Sequence, residues 1–341
     1  MGALTPSFVM DLESRMRVIV ESEYSDLLSN MWYSSVVKTM QSASQREIMT
    51  WLLSTAMIEY TGKRGGNVAF EDMVSKVFEY EHKHAGTGLR LKKDQLQDLD
   101  GNGLQLAARW SADIGQYMAY WPQKQTAVAL KAGTAATSLA YDGVPYFSGL
   151  HPVNPGHPIA GQVYANYHTA GVGLGAVPID TSVTPDVALQ NLGNVFGYVR
   201  GIKMPNYEDP RQLRPRGILC GPKLAPRVAQ LTNAKFIAQA ASGGGGGSAD
   251  VEALIQTLGY AQVIVADELA GWDSDTSYFV ISSGLSSTQL GGLIYSEREP
   301  FSIMWYTGDG SSAGLDALLR RANELEWKVD GRNTMVYGHP Y

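Results

Sequence analysis

The sequence predicts an α+β protein, and three observations carry that expectation. Residues 104–131 form the longest helical stretch, with Leu104, Ala107, Ala108, Ile114 and Met118 on related faces. Residues 76–93 alternate with a period of two, which suits strands. Residues 185–282 alternate helical and strand-like segments in the manner of an α/β unit, and strand-like segments at 293–307 and 324–337 close the chain.

Taken in order, residues 4–60 read as helical with polar interruptions. Leu12, Met16, Ile19 and Val20 follow helical spacing. A second helix is expected over 45–60, where Ile48, Leu52, Ala56 and Glu59 share a stripe only partly apolar, and the GKRGG run at 62–66 stops it. Within 68–96 the alternation reads as a β-hairpin turning at Ala85-Gly86-Thr87-Gly88. Its faces are polar: Lys76, Glu79, Glu81, His82, Lys83, His84, Arg90, Lys92 and Lys93 all lie here. Such a ribbon has little core of its own and is marginal alone in water, so it is expected to rest on something else, such as a neighbouring subunit.

DLDGNG at 98–103 reads as a helix-entry turn. Pro122 ends the following helix, kinks it or opens its next turn. Helical periodicity then disappears over 133–175. There the run YDGVPYFSGLHPVNPGHP (141–158) is dense in Gly, Pro and aromatics and signals an ordered loop. Helices are expected at 185–200, 222–231, 250–258 and 314–323, and strands at 216–220, 262–266 and 278–282. Five consecutive glycines within 242–248 suit a flexible surface loop. No internal repeat is present.

The 341 residues are 44% hydrophobic and 18% charged, enough for a sizeable core. A net charge of −6 argues against a dedicated nucleic-acid binder, which is usually basic. The single cysteine, Cys220, precludes an intrachain disulfide and is expected to be a small buried side chain. The first ten residues lack the pattern of a signal peptide, and no stretch has the apolar length to cross a bilayer. Folding in a reducing cytoplasm, without membrane partners, is the expectation.

Patterns that could carry chemistry are incomplete. Counted from Asp98, a calcium loop would have Gly103 at its sixth position but Arg109 where a Glu belongs. His82 and His84 would share one face of a strand, yet nothing nearby completes a metal set. His151 and His157 each precede a proline in the rigid loop, where a structural hydrogen bond is the plain reading. Ser148 and Ser283 do not complete a nucleophile elbow, and the glycine run lacks the Lys and Ser/Thr of a phosphate loop. The pairs Glu297 with Glu299 and Asp273 with Asp275 suit solvated strand ends or turns. No enzyme activity, metal or cofactor is expected.

An ordered series of landmarks resembles one family. It runs through Trp121-Pro122, Leu130 and Gly133, then Tyr141-Asp142-Gly143, Pro145-Tyr146-Phe147-Ser148 and His151-Pro152. Asn191-Leu192, RPRGILCGP at 214–222, VIVADEL at 263–269 with Trp272, and ELEWKV at 324–329 follow. The series is similar to the major head subunit family of Mu-like phages and prophages, a capsid family of the Hong Kong 97-like fold. The resemblance implies an N-terminal arm and helices (1–60) and an extended E-loop hairpin (61–100). It also implies a peripheral domain with a long spine helix and extended loop (101–180), an axial α/β domain (181–290), and strands returning to the peripheral domain (291–341).

It further implies a major capsid protein in the virion, assembled in the host bacterial cytoplasm as hexamers and pentamers of an icosahedral shell. Scaffolding protein, portal, a decoration protein and packaged double-stranded DNA, in weak non-specific contact, would be its partners. The N-arm and E-loop would be the main interfaces. Tyr141, Asp142, Gly143, Pro145, Tyr146, Phe147, His151 and Pro152 are the candidate loop and contact residues. They either anchor the loop at a further subunit contact or pack within the chain. One rival is an encapsulin-like nanocompartment shell; a remote one is a metal-dependent hydrolase using His82, His84 or His151.

Overall fold

The computed structural model describes residues 6–52, 75–92, 102–155, 160–204, 209–233, 236–238, 248–250, 262–283, 292–305 and 324–340. In chain order these form α1 (Pro6–Leu28), β1 (Val37–Gln41), β2 (Arg46–Leu52), β3 (Ser75–Glu81), β4 (Lys83–Lys92) and α2 (Asn102–Ala132). There follow β5 (His151–Pro152), β6 (Val163–Tyr164), α3 (Pro185–Gly201), β7 (Arg214–Cys220), α4 (Ala225–Asn233), β8 (Phe236–Ala238) and β9 (Ser248–Asp250). β10 (Gln262–Val265), β11 (Tyr278–Ser283), β12 (Leu293–Trp305) and β13 (Glu324–Tyr337) complete the set. The expected glycine-rich loop at 242–248 and the helices at 250–258 and 314–323 lie almost wholly outside the described residues. No described helix is long and apolar enough to cross a membrane.

The chain divides into two units. The first comprises 1–47, 80–126 and 295–336. Its sheet has the order β1-β12-β13-β4. One core joins Leu12, Met16 and Val20 of α1 to Ala107 and Met118 of α2 and to Leu91, Ile303, Leu325, Trp327 and Val329 of the sheet. Spacings of three and four residues put the α1 positions on one stripe, as the periodicity requires. The helices approach closely where α2 carries Gly115: a Cβ there would lie 2.7 Å from the Val20 carbonyl oxygen. Pro122 neither ends α2 nor opens a new helix but lies inside it.

Two expectations fail in this part of the chain. Residues 46–52 of the expected second helix form strand β2, which pairs with β3. Ile48, Thr50 and Trp51 are β-branched or aromatic, and that preference prevails over a stripe that was only partly apolar. The hairpin expected to turn at residues 85–88 does not turn there. β4 runs straight through and pairs antiparallel with β13, from Glu324 opposite Lys92 to Asn333 opposite Lys83. Its glycines serve close approach instead of a turn: a Cβ on Gly86 would lie 2.4 Å from the Val329 carbonyl oxygen, and one on Gly88 3.1 Å from that of Trp327. Nor does the segment lack a core, since Leu91 is buried and Leu89 packs beside it.

The second unit comprises 48–79, 127–294 and 337–341. Its sheet has the order β10-β7-β11, with β10 parallel and β11 antiparallel to the central β7. A parallel neighbour needs a crossover, and α4 lies within it. Pro185 opens α3 after the cap residue Thr184. Ala188, Leu189, Leu192 and Phe196 of α3 then pack with Ile218, Cys220, Val228 and Leu231. Cys220 is buried, and burial pushes its thiol up to about 11.

Candidate functional site

The residues singled out between 141 and 152 build one closed loop of the second unit. Leu139 and Pro145 form an antiparallel bridge. The Gly143 N–H donates to Ala140 O (3.0 Å), and the Ala140 N–H donates to Val144 O (2.8 Å). Tyr141-Asp142-Gly143 is therefore a three-residue turn with its last residue left-handed, Gly143 at φ +80°. A Cβ there would meet nothing within 4 Å, so the backbone angle alone selects glycine. The Tyr146 and Phe147 N–H groups donate to Ser138 O (2.8 Å) and Gly133 O (2.9 Å), tying the loop to the end of α2.

At the centre lies a buried pair. Asp142 Oδ2 is 2.7 Å from His151 Nδ1, and both side chains are fully buried. Asp142 Oδ1 accepts the Val144 N–H at 3.1 Å. His151 Nε2 is 3.1 Å from the Tyr146 carbonyl oxygen. The Tyr146 carbonyl can only accept, so Nε2 donates to it, and one further proton binds Nδ1 to Oδ2. The ring stacks on Tyr164, with centroids 5.3 Å apart and planes at 23°. Asn166 spans the neighbouring gap. Its Nδ2 donates to Tyr146 O (2.5 Å) and Pro340 O (3.0 Å), while its Oδ1 accepts the Ser148 N–H (2.8 Å).

Aromatic rings cover this centre. Tyr146 lies 4.9 Å from Phe147 and 5.0 Å from Tyr337, and burial raises its phenol well above the ordinary value. Phe147 meets Phe279, which stacks on Trp272. It also fills the space left by Gly133, where a Cβ would lie 2.3 Å from the Phe147 ring. Tyr141 lies 4.3 Å from the His339 ring. His339 is held neutral, first by burial and then by the Arg211 charge, whose Nη2 is 3.4 Å from Nε2. Pro152 pairs with Val163 across β5 and β6.

Of the candidate residues, Tyr141, Tyr146 and His151 are thus buried within their own unit. Asp142 is committed to His151, and Gly143 to the turn. A histidine engaged at both nitrogens and a phenol raised by burial are poorly set to move protons for a ligand; the arrangement fixes a loop. Gly133, one of the landmarks of the resemblance, completes it with Tyr164, Asn166 and His339. The last three carried no signal of this role in the sequence, because each meets the loop only through the fold.

The other histidines are separated. His82 is buried, with Nε2 2.9 Å from Ser296 Oγ and Nδ1 3.2 Å from Gln45 O. His84 is exposed and lies 3.7 Å from Asp330. The pair expected on one strand face is divided because His82 falls between β3 and β4. His157 lies outside the described residues. Among the described residues no group of three or more His, Cys, Asp or Glu could hold a metal ion.

No curated protein matches the chain. Similar solved structures include phage capsids. The procapsid of bacteriophage JBD30 is 15% identical, covering 99% of this chain and 74% of that one, with a TM-score of 0.44. The JBD30 capsid decorated with minor capsid protein trimers is 12% identical over 91% of this chain, with a TM-score of 0.43, and the match spans 61% of that chain. The capsid of cyanophage P-SCSP1u is 10% identical, covering 91% of this chain and 85% of that one, and its TM-score of 0.51 shows a shared fold, the Hong Kong 97-like capsid fold. Residues 14–184, half of the chain, match the family described as Mu-like prophage major head subunit gpT. The match takes in most of α1, all of α2 and the buried loop, and by it the chain belongs to the Mu-like prophage major head subunit family.

Proposed function

We propose that this chain, a major capsid protein of a tailed phage, assembles as hexamers and pentamers into an icosahedral shell around double-stranded DNA. The observation that carries the reading is the family match over 14–184. The physics is repeated contact between copies that closes by symmetry, with modest affinity per contact offset by the number of contacts. In this reading 1–60 is the N-terminal arm, 101–180 with 291–341 the peripheral domain, α2 its spine helix, and 181–290 the axial domain. The E-loop is placed at 61–100, which includes β3 and also β4, the strand that pairs with β13 in the sheet of the first unit. Scaffolding, portal and decoration proteins are the proposed partners, with weak non-specific contact to packaged DNA and assembly in the host cytoplasm.

The family is a structural one, which disfavours the enzyme reading, and its phage identity disfavours the nanocompartment. Light scattering coupled to size exclusion, with and without the scaffolding protein, tests the proposal. Species many times the 37.0 kDa chain mass are expected. A 37.0 kDa monomer in every condition would reject it.

A further inference from the structure

Between Lys131 and Asp180 the chain contains no Lys, Arg or Glu, and its only Asp is Asp142. That carboxylate is buried against His151. Beyond its histidines the segment therefore carries no basic side chain, and no exposed carboxylate, although the whole chain has a net charge of −6. What it does present is apolar. His151 and Tyr164 pair across β5 and β6 and face inward. The next pair, Pro152 and Val163, points the opposite way, as alternation along a strand requires. Val163 is 43% exposed, and Leu150, two residues before Pro152, is 69% exposed. Gly149 brings the 172–174 turn alongside, since a Cβ there would lie 2.4 Å from Val172 Cγ1. Leu174 in that turn is 40% exposed and Tyr167 39%. The turn is pinned: the Leu174 N–H donates to His168 Nδ1 (3.1 Å), and the His168 ring stands edge-on to Tyr198.

We infer that this outer face, Leu150, Pro152, Val163, Tyr167 and Leu174, is a homotypic contact: it meets the same face of a second copy about a symmetry axis of the assembly. The inference rests on the shell-subunit reading above and names a self-contact within it. Close to a symmetry axis a residue approaches its own image, so a charged side chain placed there meets a like charge. Copies that each carry net negative charge can approach most closely through a surface without charge, and interface cores are depleted of charged residues, which are costly to desolvate. A nucleic-acid partner would need cations that the face does not have.

The test uses the full chain carrying Leu150→Glu, Leu150→Lys, or an equal mixture of the two, with sedimentation velocity and electron microscopy as readouts. Each variant should melt within a few degrees of wild type, because the side chain is exposed. Each alone should self-associate at least tenfold more weakly, and the mixture should recover most of the loss by pairing opposite charges across the axis. Association of either variant at wild-type strength overturns the inference, as does a mixture no better than its parts. Shells formed normally by both variants would leave the shell reading intact and remove only this contact. Wild-type association that obeys the charge rule without producing closed shells would keep the contact and remove the shell. A wild-type chain that never self-associates overturns both.

Discussion

Replacing His151 by Leu should loosen the 138–152 loop far more than replacing Asp142 by Asn. In the first variant the Asp142 carboxylate stays fully buried, loses the donor 2.7 Å away and retains only the Val144 N–H. Removing one partner of a buried ion pair costs about 3–5 kcal/mol. In the second variant the amide can keep its acceptor toward Val144 while its Nδ2 donates to His151 Nδ1. His151 Nε2 still donates to Tyr146 O, so the loss should be about 1–2 kcal/mol, that of one hydrogen bond weakened but not broken. The chain has two units, so a single melting temperature would mix their transitions. Hydrogen exchange by mass spectrometry on peptides covering 138–152 reads the loop directly, through the bonded amides of Gly143, Tyr146 and Phe147. A loss of about 3 kcal/mol corresponds to roughly hundredfold faster exchange, and 1–2 kcal/mol to about five- to thirtyfold. Equal acceleration in the two variants, or none in His151→Leu, would refute the assignment of the Asp142–His151 pair as the bond that fixes the loop.

Other expectations rest on single contacts. Gly143→Val should destabilise the loop by about 1–2 kcal/mol, the cost of a left-handed backbone for a branched residue, whereas Gly143→Asn should cost little; exchange over 138–152 again decides. Gly86→Ala places a methyl 2.4 Å from a carbonyl oxygen of the paired strand and should lower denaturant stability of the first unit by about 1–3 kcal/mol, with an unchanged midpoint as the contrary result. His339 sets a pH dependence. Its folded-state value is held well below the usual imidazole range by burial, with Arg211 and His151 adding to the effect. The unfolded chain therefore takes up a proton first as pH falls below about 6.5, and stability declines from there at up to about 1.4 kcal/mol per pH unit. His339→Gln should flatten that decline between pH 6.5 and 5; an unchanged slope would exclude His339 as its source.

How much of this was legible beforehand differs by element and for physical reasons. Helix α2 was readable because Ala107, Ile114 and Met118 keep helical spacing along the stripe that joins the core. Strands β7, β10, β11, β12 and β13 were readable from short apolar or alternating runs. The glycines of β4 misled because glycine marks both a turn and a close backbone approach, and only the partner strand distinguishes them. β2 misled because a weak helical stripe competed with strand-favouring residues. In the candidate loop, the turn at Gly143 was visible in local sequence. The Asp142–His151 pair was not, since nine residues separate its members and no secondary-structure period links them. Asn166 and His339 were further out of reach, as they meet the loop from distant parts of the chain. The family resemblance supplied the functional expectation that no motif of chemistry could.

The central claim, that this chain builds a shell, is tested most directly by negative-stain electron microscopy of the purified full chain, alone and with its scaffolding protein. Closed shells or capsomer rings are the result the account predicts. A uniform field of monomers or dimers under every condition, scaffold included, would contradict it.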